Sequence, residues 1–471
     1  MSITTTVGTR RDEHENPITG STEAIALYDR AVDRLLRYDP EVIDVATSLG
    51  EQHADVPMAS ALVAYLYLTS TDESDVATAA AAAEAMAATA MNDRERAHHA
   101  AISAWVGGDW IGAARLLDAL LERWPADLLA LQVGHSLDFF VGDAANLRDR
   151  PGRSLVGLDP AHPHTGFVRG MQAFGLEESG SYAEAEAAGL AAVNVNPDDV
   201  WAIHAVVHTH EMRGQVADGI RFLTSREADW GSGNLFTVHN WWHLALFQLE
   251  TGEFDAGLRI YDAEVHNASS LGVSLQMLDA SALLWRLHLD GHDDGGRFAA
   301  LADAWAARTD GRPWYAFNDL HAVFALVGAG RIADAERVIE RLAGYVHVGG
   351  AGTNVAMTAE IGLPTSRAVV RFGQGRYEDV IDELLPIRRV LQHFGGSHAQ
   401  RDVLQRTLLE SALRAGKSDL ARTLIAERLA VRETSVYGWT QQARLLAAVG
   451  RADESANASA TASVMQTRAR V

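Results

Sequence analysis

The feature that most constrains this chain is a glycine that returns at a nearly constant interval. Between successive glycines lie steps of 34, 38, 34, 38, 39, 39, 45, 41 and 34 residues. From Ala24 onward the residues around them show apolar spacings of three and four, which predict helices. A helix–turn–helix unit of this length is therefore repeated, with its turns at Gly108, Gly142, Gly180, Gly214, Gly252, Gly291, Gly330, Gly375, Gly416 and Gly450.

A period near 34 residues is typical of the tetratricopeptide repeat, in which two antiparallel helices meet at a short glycine turn. Two units agree in detail, because each has an aromatic residue, two small or apolar residues and a proline at the same offsets from its glycine. These sets are Trp110, Ala113, Leu120 and Pro125 after Gly108, and Tyr182, Ala185, Ala192 and Pro197 after Gly180. The aromatic residue and alanine should pack helix against helix, and the proline should begin the next unit.

The predicted fold class is therefore all-α: an α-solenoid of about ten tetratricopeptide-like helical hairpins with a concave pocket. We expect a flexible N-terminal arm at 1–20, the solenoid as one continuous domain at 21–460, and a polar C-terminal tail at 461–471. No segment predicts a strand.

Composition limits the function. The chain contains no cysteine, which excludes thiolate zinc sites, disulfides and cysteine catalysis. A net charge of -22 should repel phosphate backbones and anionic membranes, so neither nucleic acid nor a membrane is an expected partner. With no signal-peptide or membrane-spanning run, a cytoplasmic location is expected. Eleven tryptophans are compatible with a homo-oligomer.

Two histidine-rich runs carry the strongest chemical signal, HAVVHTHE from His204 to Glu211 and HNWWH from His239 to His243. Each run places two histidines four residues apart, on one face of a helix. Both helices precede a glycine turn, where the inner helix of a repeat lies. The runs should therefore meet on adjacent inner helices.

Further polar residues fall on the inner helices that follow. Asp279 interrupts the apolar run LQMLDASALLWRL, so it should face inward as a ligand or a hydrogen-bonding group. The substrate-binding candidates are Asn240, Asp279, Asn318, His321, Arg401 and Asp402, and the catalytic candidates are His204, His208, Glu211, His239, His243 and Asp319. In contrast, His164, His288, His292 and His347 are expected to be surface or loop residues without a role.

Together these motifs resemble the tetratricopeptide repeat protein 38 family. The resemblance covers about 130–435 and rests on the helix with HEM, on HNWWH, on FNDLH and on GGSHAQRD, in that order. Glu360 in AEIGLP departs from the family's aspartate but keeps a carboxylate. The family implies a solenoid of divergent tetratricopeptide units and no particular reaction.

Three functions remain open. A divalent ion (Zn, Mn, Fe or Ni) on His204, His208 and His243 would suit a hydrolase or lyase acting on a small-molecule substrate. Without metal, a histidine oriented by Glu211, Asp279 or Asp319 could act as general base, with Arg401 binding a substrate carboxylate. The alternative is a non-catalytic tetratricopeptide scaffold that binds a protein or peptide.

Overall fold

The glycine turns form where the sequence predicts them. A computed structural model describes residues 10–270 and 272–469, and in it all ten glycines have φ between 68° and 88°. This left-handed conformation is easy for glycine and strained for other residues, so each glycine ends one helix and lets the chain turn back. The ten predicted hairpins are all present.

The chain divides into two compact units. Unit 1 comprises the described residues up to Ala205, with Ser232–Phe236 and Gly350–Asn354, and unit 2 comprises Val206–Gly231, Thr237–Gly349 and the described residues from Val355 onward. The segment 21–460, which was predicted as one continuous domain, is thus divided between two units. The glycine turns recur every 34 to 45 residues on both sides of the boundary, so their spacing does not reveal it.

The helices of unit 1 are short and are joined by tight turns. They are α1 (Thr22–Leu36), α2 (Glu41–Gln52), α3 (Pro57–Thr69), α4 (Val76–Ala87), α5 (Asp93–Val106), α6 (Trp110–Arg123), α7 (Leu128–Val141), α8 (Ala144–Leu155), α9 (His164–Glu178) and α10 (Tyr182–Val195). The unit boundary falls within α11 (Val200–Met212).

Unit 2 continues the pattern with longer connections. Its helices are α12 (Val216–Ser225), α13 (Glu227–Trp230), α14 (Thr237–Glu250), α15 (Phe254–Ile260), α16 (Ser274–Leu289), α17 (Arg297–Ala306), α18 (Ala316–Gly328), α19 (Ile332–Val348), α20 (Thr353–Met357, beginning in unit 1), α21 (Leu363–Gly373), α22 (Tyr377–Ile387), α23 (His398–Arg414), α24 (Ser418–Val431), α25 (Val436–Ala448) and α26 (Ala452–Ala469). Short 3-10 turns lie at Glu73–Asp75 and Leu391–Phe394, and π-helical turns at Tyr261–Val265 and Thr358–Gly362.

Most of the repeat signature is buried as predicted, whereas Tyr182 is only half-buried. Trp110, Ala113 and Leu120 of α6 are buried, and so are Ala185 and Ala192 of α10. The Trp110 ring lies 5.6 Å from that of Trp105 on α5, so the tryptophan fills the space inside its own hairpin. Burying a large side chain in this way stabilises a fold by about 1.5–3 kcal/mol.

Both ends of the chain differ from the expectation. In the predicted arm, β1 (Arg10–Arg11) pairs with β2 (Pro17–Ile18), and Thr19 donates from its backbone N–H and its hydroxyl to the Glu95 carboxylate at 2.6 and 2.9 Å. Two-residue strands are too short to show an alternating pattern in sequence. At the other end, α26 extends to Ala469 through the predicted tail. The remainder of these segments, 1–9 and 470–471, lies outside the described residues.

Helix length and apolarity also bear on the membrane question. Among the described residues, none of the helices is both long and apolar enough to cross a bilayer.

The turn conformation can be tested with two alanine substitutions in unit 1. A Cβ added at Gly180 or at Gly50 would meet no atom within 4 Å, but Gly180 has a φ of 81° and Gly50 lies inside α2. We expect Gly180→Ala to destabilise unit 1 by about 1–2 kcal/mol, and Gly50→Ala to stabilise it by about 0.5–1 kcal/mol. Urea denaturation would measure both shifts. Shifts of the same sign would contradict the role of the turn.

Candidate functional site

Three histidines of unit 2 meet where two helices come together. His208 lies on the part of α11 that belongs to unit 2, and His239 and His243 lie one turn apart on α14. The His243 ring centroid is 4.5 Å from that of His208 and 4.8 Å from that of His239. One ring nitrogen of each residue lies within 4.8 Å of the others. The two runs therefore meet, as their spacing predicts.

Two carboxylates orient this triple-histidine cluster. His239 Nδ1 lies 2.7 Å from Asp279 Oδ2 on α16, and His243 Nδ1 lies 3.0 Å from Glu211 Oε2, one turn after His208 on α11. A neutral imidazole that donates from Nδ1 to a carboxylate has its lone pair on Nε2. This carboxylate–histidine arrangement is the one that fixes metal-binding histidines in proteins.

The cluster is removed from solvent, and this sets its charge. His208 and His243 are fully buried, whereas His239 keeps 14% of its side-chain surface exposed. Burial lowers the pKa of His243 well below its usual range, and His208, His239 and Arg286 lower it further. The His243 imidazole is therefore neutral at pH 7, which is the form that binds metal.

Arg286 is a contributor that the sequence analysis missed. It lies on α16 two turns after Asp279, is buried, and donates to the carbonyl oxygens of Ala282 (2.9 Å) and Ala399 (2.6 Å). Its guanidinium is 5.4 Å from the centre of the Trp242 ring. Burial and the neighbouring Arg406 lower its pKa to about 10. The sequence signal that could have identified Arg286 is its position inside the otherwise apolar run LLWRL.

The remaining candidates of unit 2 have local partners. Asp319 pairs with Arg341 at 2.5 Å, and His321 Nδ1 lies 2.7 Å from the Phe317 carbonyl oxygen. On α23, Asp402 pairs with Arg406 at 2.9 Å and with Arg428 at 2.6 Å. Arg401 donates to the backbone carbonyl of Gly395 at 3.4 Å, while Asn240 and Asn318 are buried. These contacts stabilise the helices, and a role in binding substrate stays a prediction.

His204 belongs to unit 1 and lies in an aromatic setting there. Its ring centroid is 5.1 Å from Phe174, 5.0 Å from Trp201 and 5.0 Å from Phe236. Along α11 it precedes His208 by one turn, which is the spacing of two imidazoles on one helix face. Its role as a metal ligand remains a prediction.

Comparisons with known proteins add little to this geometry. No family model matches the chain. Solved structures align with nearly the whole of this chain at 12% sequence identity. In one of them, a human IFIT1 dimer with PPP-AAAA, the alignment covers 97% of this chain and 96% of the IFIT1 chain, with a TM-score of 0.41. Yeast Tom70 and the Cut9–Hcn1 hetero-tetramer of the APC/C each cover 95% of this chain and 96% of their own, at TM-scores of 0.32 and 0.31. With these TM-scores below 0.5, the alignments carry no information about the chemistry of this chain.

Buried histidines make the stability of unit 2 depend on pH. Burial lowers the pKa of His321 to about 4 from an ordinary value of 6.5, so its neutral form stabilises the fold above pH 6.5. As the pH falls from 6.5 towards 4, this contribution is lost at about 1.4 kcal/mol per pH unit. We expect His321→Gln to flatten the pH dependence of unfolding by that slope. The exposed His347→Gln is the control, and equal slopes for both variants would contradict the assignment.

Proposed function

We propose that this protein is a tetratricopeptide-type binding protein in which His208, His239 and His243 hold a divalent metal ion inside unit 2. The observation that carries the proposal is the convergence of three histidine ring nitrogens. Two of the three imidazoles are also oriented by carboxylates. Binding would replace the packing of the three imidazole rings by metal–nitrogen bonds. The ion would thereby join α11 to α14.

The donor set favours particular metals. Imidazole nitrogens suit zinc, nickel and iron, whereas manganese prefers oxygen ligands, so manganese is the metal that fits this site least. Among the other metals expected from the sequence, we propose zinc. Tetrahedral zinc takes four ligands, and three are supplied here.

Burial favours a structural ion over a catalytic one. A catalytic zinc keeps one coordination position open to water or substrate, whereas a structural zinc is enclosed. Two of the three ligands, His208 and His243, are fully buried. We therefore place the function in a surface of the helical repeats that binds a protein or peptide, as other tetratricopeptide modules do. Membership of the tetratricopeptide repeat protein 38 family, suggested by the sequence motifs, is part of this proposal.

One observation favours a second candidate, a hydrolase or lyase. His239 remains partly exposed and is paired with Asp279, which is the arrangement of an oriented general base. In this candidate, His239 Nε2 would accept a proton instead of binding the ion, and a zinc ion on His208 and His243 would supply a Lewis acid and a water of lowered pKa. A small-molecule substrate would then enter from the His239 side, and Arg401 could bind its carboxylate.

The metal content of protein purified without a histidine tag tests the site. We expect His208→Ala to contain one zinc ion per chain fewer than the unmutated protein, because it removes one of three converging donors. The exposed His347→Ala is the control and should keep the full content. Circular dichroism would verify the fold of both variants. Equal zinc contents in all three proteins would refute the site.

The carboxylates provide a second, graded test. Glu211→Gln and Asp279→Asn keep the shape of each side chain but remove the negative charge behind one histidine. Loss of such a partner typically weakens metal affinity by 10- to 100-fold. Titration of the metal-free variants with zinc, followed by calorimetry, would measure this loss. Unchanged affinity in both variants would mean that the carboxylates only stabilise the helices.

Turnover separates the two candidate functions. If the protein has the binding role, we expect the zinc-loaded unmutated protein to hydrolyse activated esters no faster than the His208→Ala variant does. Surface cross-linking should then capture the same partners with both proteins. Zinc-dependent hydrolysis that is lost in His208→Ala would instead establish the enzyme.

A further inference from the structure

A second histidine cluster lies in unit 1, on residues that the sequence analysis did not connect. His14 and Glu13 lie in the loop between β1 and β2, while His162 and His164 flank Pro163 at the start of α9. One ligand atom from each of the four residues lies within 4.8 Å of all the others. His164 was expected to be a surface or loop residue without a role, but it is buried, and its partner His14 lies 150 positions away in the sequence.

The spacing of the ligand atoms suits a small tetrahedral ion. His14 Nε2 lies 2.9 Å from His164 Nδ1, and His162 Nε2 lies 3.2 Å from Glu13 Oε1. Two ligands on tetrahedral zinc, each about 2.0–2.1 Å from the ion, are about 3.3 Å apart. Only small side-chain movements would therefore bring the four atoms around one zinc ion.

The surroundings orient these ligands. His164 Nε2 lies 3.2 Å from Asp33 Oδ1 on α1, so the Nδ1 that faces His14 can carry the lone pair. Asp33 in turn pairs with Arg37 at 3.1 Å. The loop is also fixed, because the Asp12 carboxylate accepts the backbone N–H groups of His14 (3.0 Å) and Asn16 (2.9 Å).

We propose that Glu13, His14, His162 and His164 form a zinc site that joins the β1–β2 loop to the N-terminal end of α9. Glu13 and His162 keep 43% and 26% of their side-chain surface exposed, so an ion can enter from solvent. The backbone N–H of His164 donates to His162 Nδ1 at 3.2 Å, which places the proton of the metal-free ring on Nε2. Zinc binding at Nε2 therefore requires the His162 ring to change tautomer, so that its proton moves to Nδ1 and the hydrogen bond from the His164 N–H is lost.

The test uses full-length protein carrying His208→Ala, which removes the triple-histidine cluster of unit 2 as a competing site. The metal-free protein is titrated with Co²⁺, whose visible absorption is strong in tetrahedral sites, and then with Zn²⁺. We expect one equivalent of Co²⁺ with a tetrahedral spectrum that Zn²⁺ displaces. Adding His162→Ala should abolish the spectrum, whereas adding the exposed His347→Ala should leave it unchanged.

A second measurement does not depend on a folded variant. In the unmutated protein, Zn²⁺ should protect His14 and His162 from carbethoxylation by diethyl pyrocarbonate, as mapped by mass spectrometry, while His347 stays reactive. A Co²⁺ spectrum that survives His162→Ala, or zinc that leaves His14 and His162 as reactive as before, would overturn the proposal. Because both readouts concern unit 1, loss of the unit 2 site would not affect them.

Discussion

A helical hairpin cannot bury its apolar face by itself, and the rest of this structure depends on that constraint. Each helical hairpin, such as α5–α6 or α16–α17, covers one side of the next hairpin. A left-handed glycine turn allows the chain to reverse direction every 34 to 45 residues. The inner helices are consequently packed on several sides. Any polar residue on them loses water and must find a partner within the protein, since an unpaired buried group costs about 1–3 kcal/mol.

Unit 2 satisfies this requirement in several ways. Histidines of α14 donate to carboxylates on neighbouring helices, Arg286 donates to backbone carbonyl oxygens, and Asp402 lies between two arginines. The last arrangement holds the pKa of the Asp402 carboxyl well below its usual range despite burial. In contrast, burial dominates at Asp319 and raises its pKa, although Arg341 is close. Asp402 has more arginine partners than Asp319, which is why attraction prevails over burial at Asp402. Unlike these pairs, the histidine cluster brings several lone pairs to one point.

The periodic features of this structure could be predicted from its sequence, and the features without periodicity could not. The turn at Gly180 follows from a repeat, and the meeting of His239 with Asp279 follows from their places on successive inner helices. The boundary between the two units was missed because it falls inside α11, which reads as an ordinary repeat helix. The β1–β2 loop and its contact with His164 were missed because loops carry no periodicity, and a contact across 150 residues leaves no local signal.

The two histidine clusters place their ligands on different kinds of element, and this has consequences for any ion they hold. The cluster of unit 2 uses helix positions one turn apart, so its geometry is fixed by the same packing that stabilises the helices. An ion there could leave only if α11 or α14 moved, which would make exchange slow and link it to unfolding. In unit 1 the ligands lie on a loop and a helix start, with Glu13 and His162 open to solvent. Exchange there needs only side-chain motion, so occupancy would follow the surrounding zinc concentration. The two sites would therefore differ in kinetics even with similar ligands.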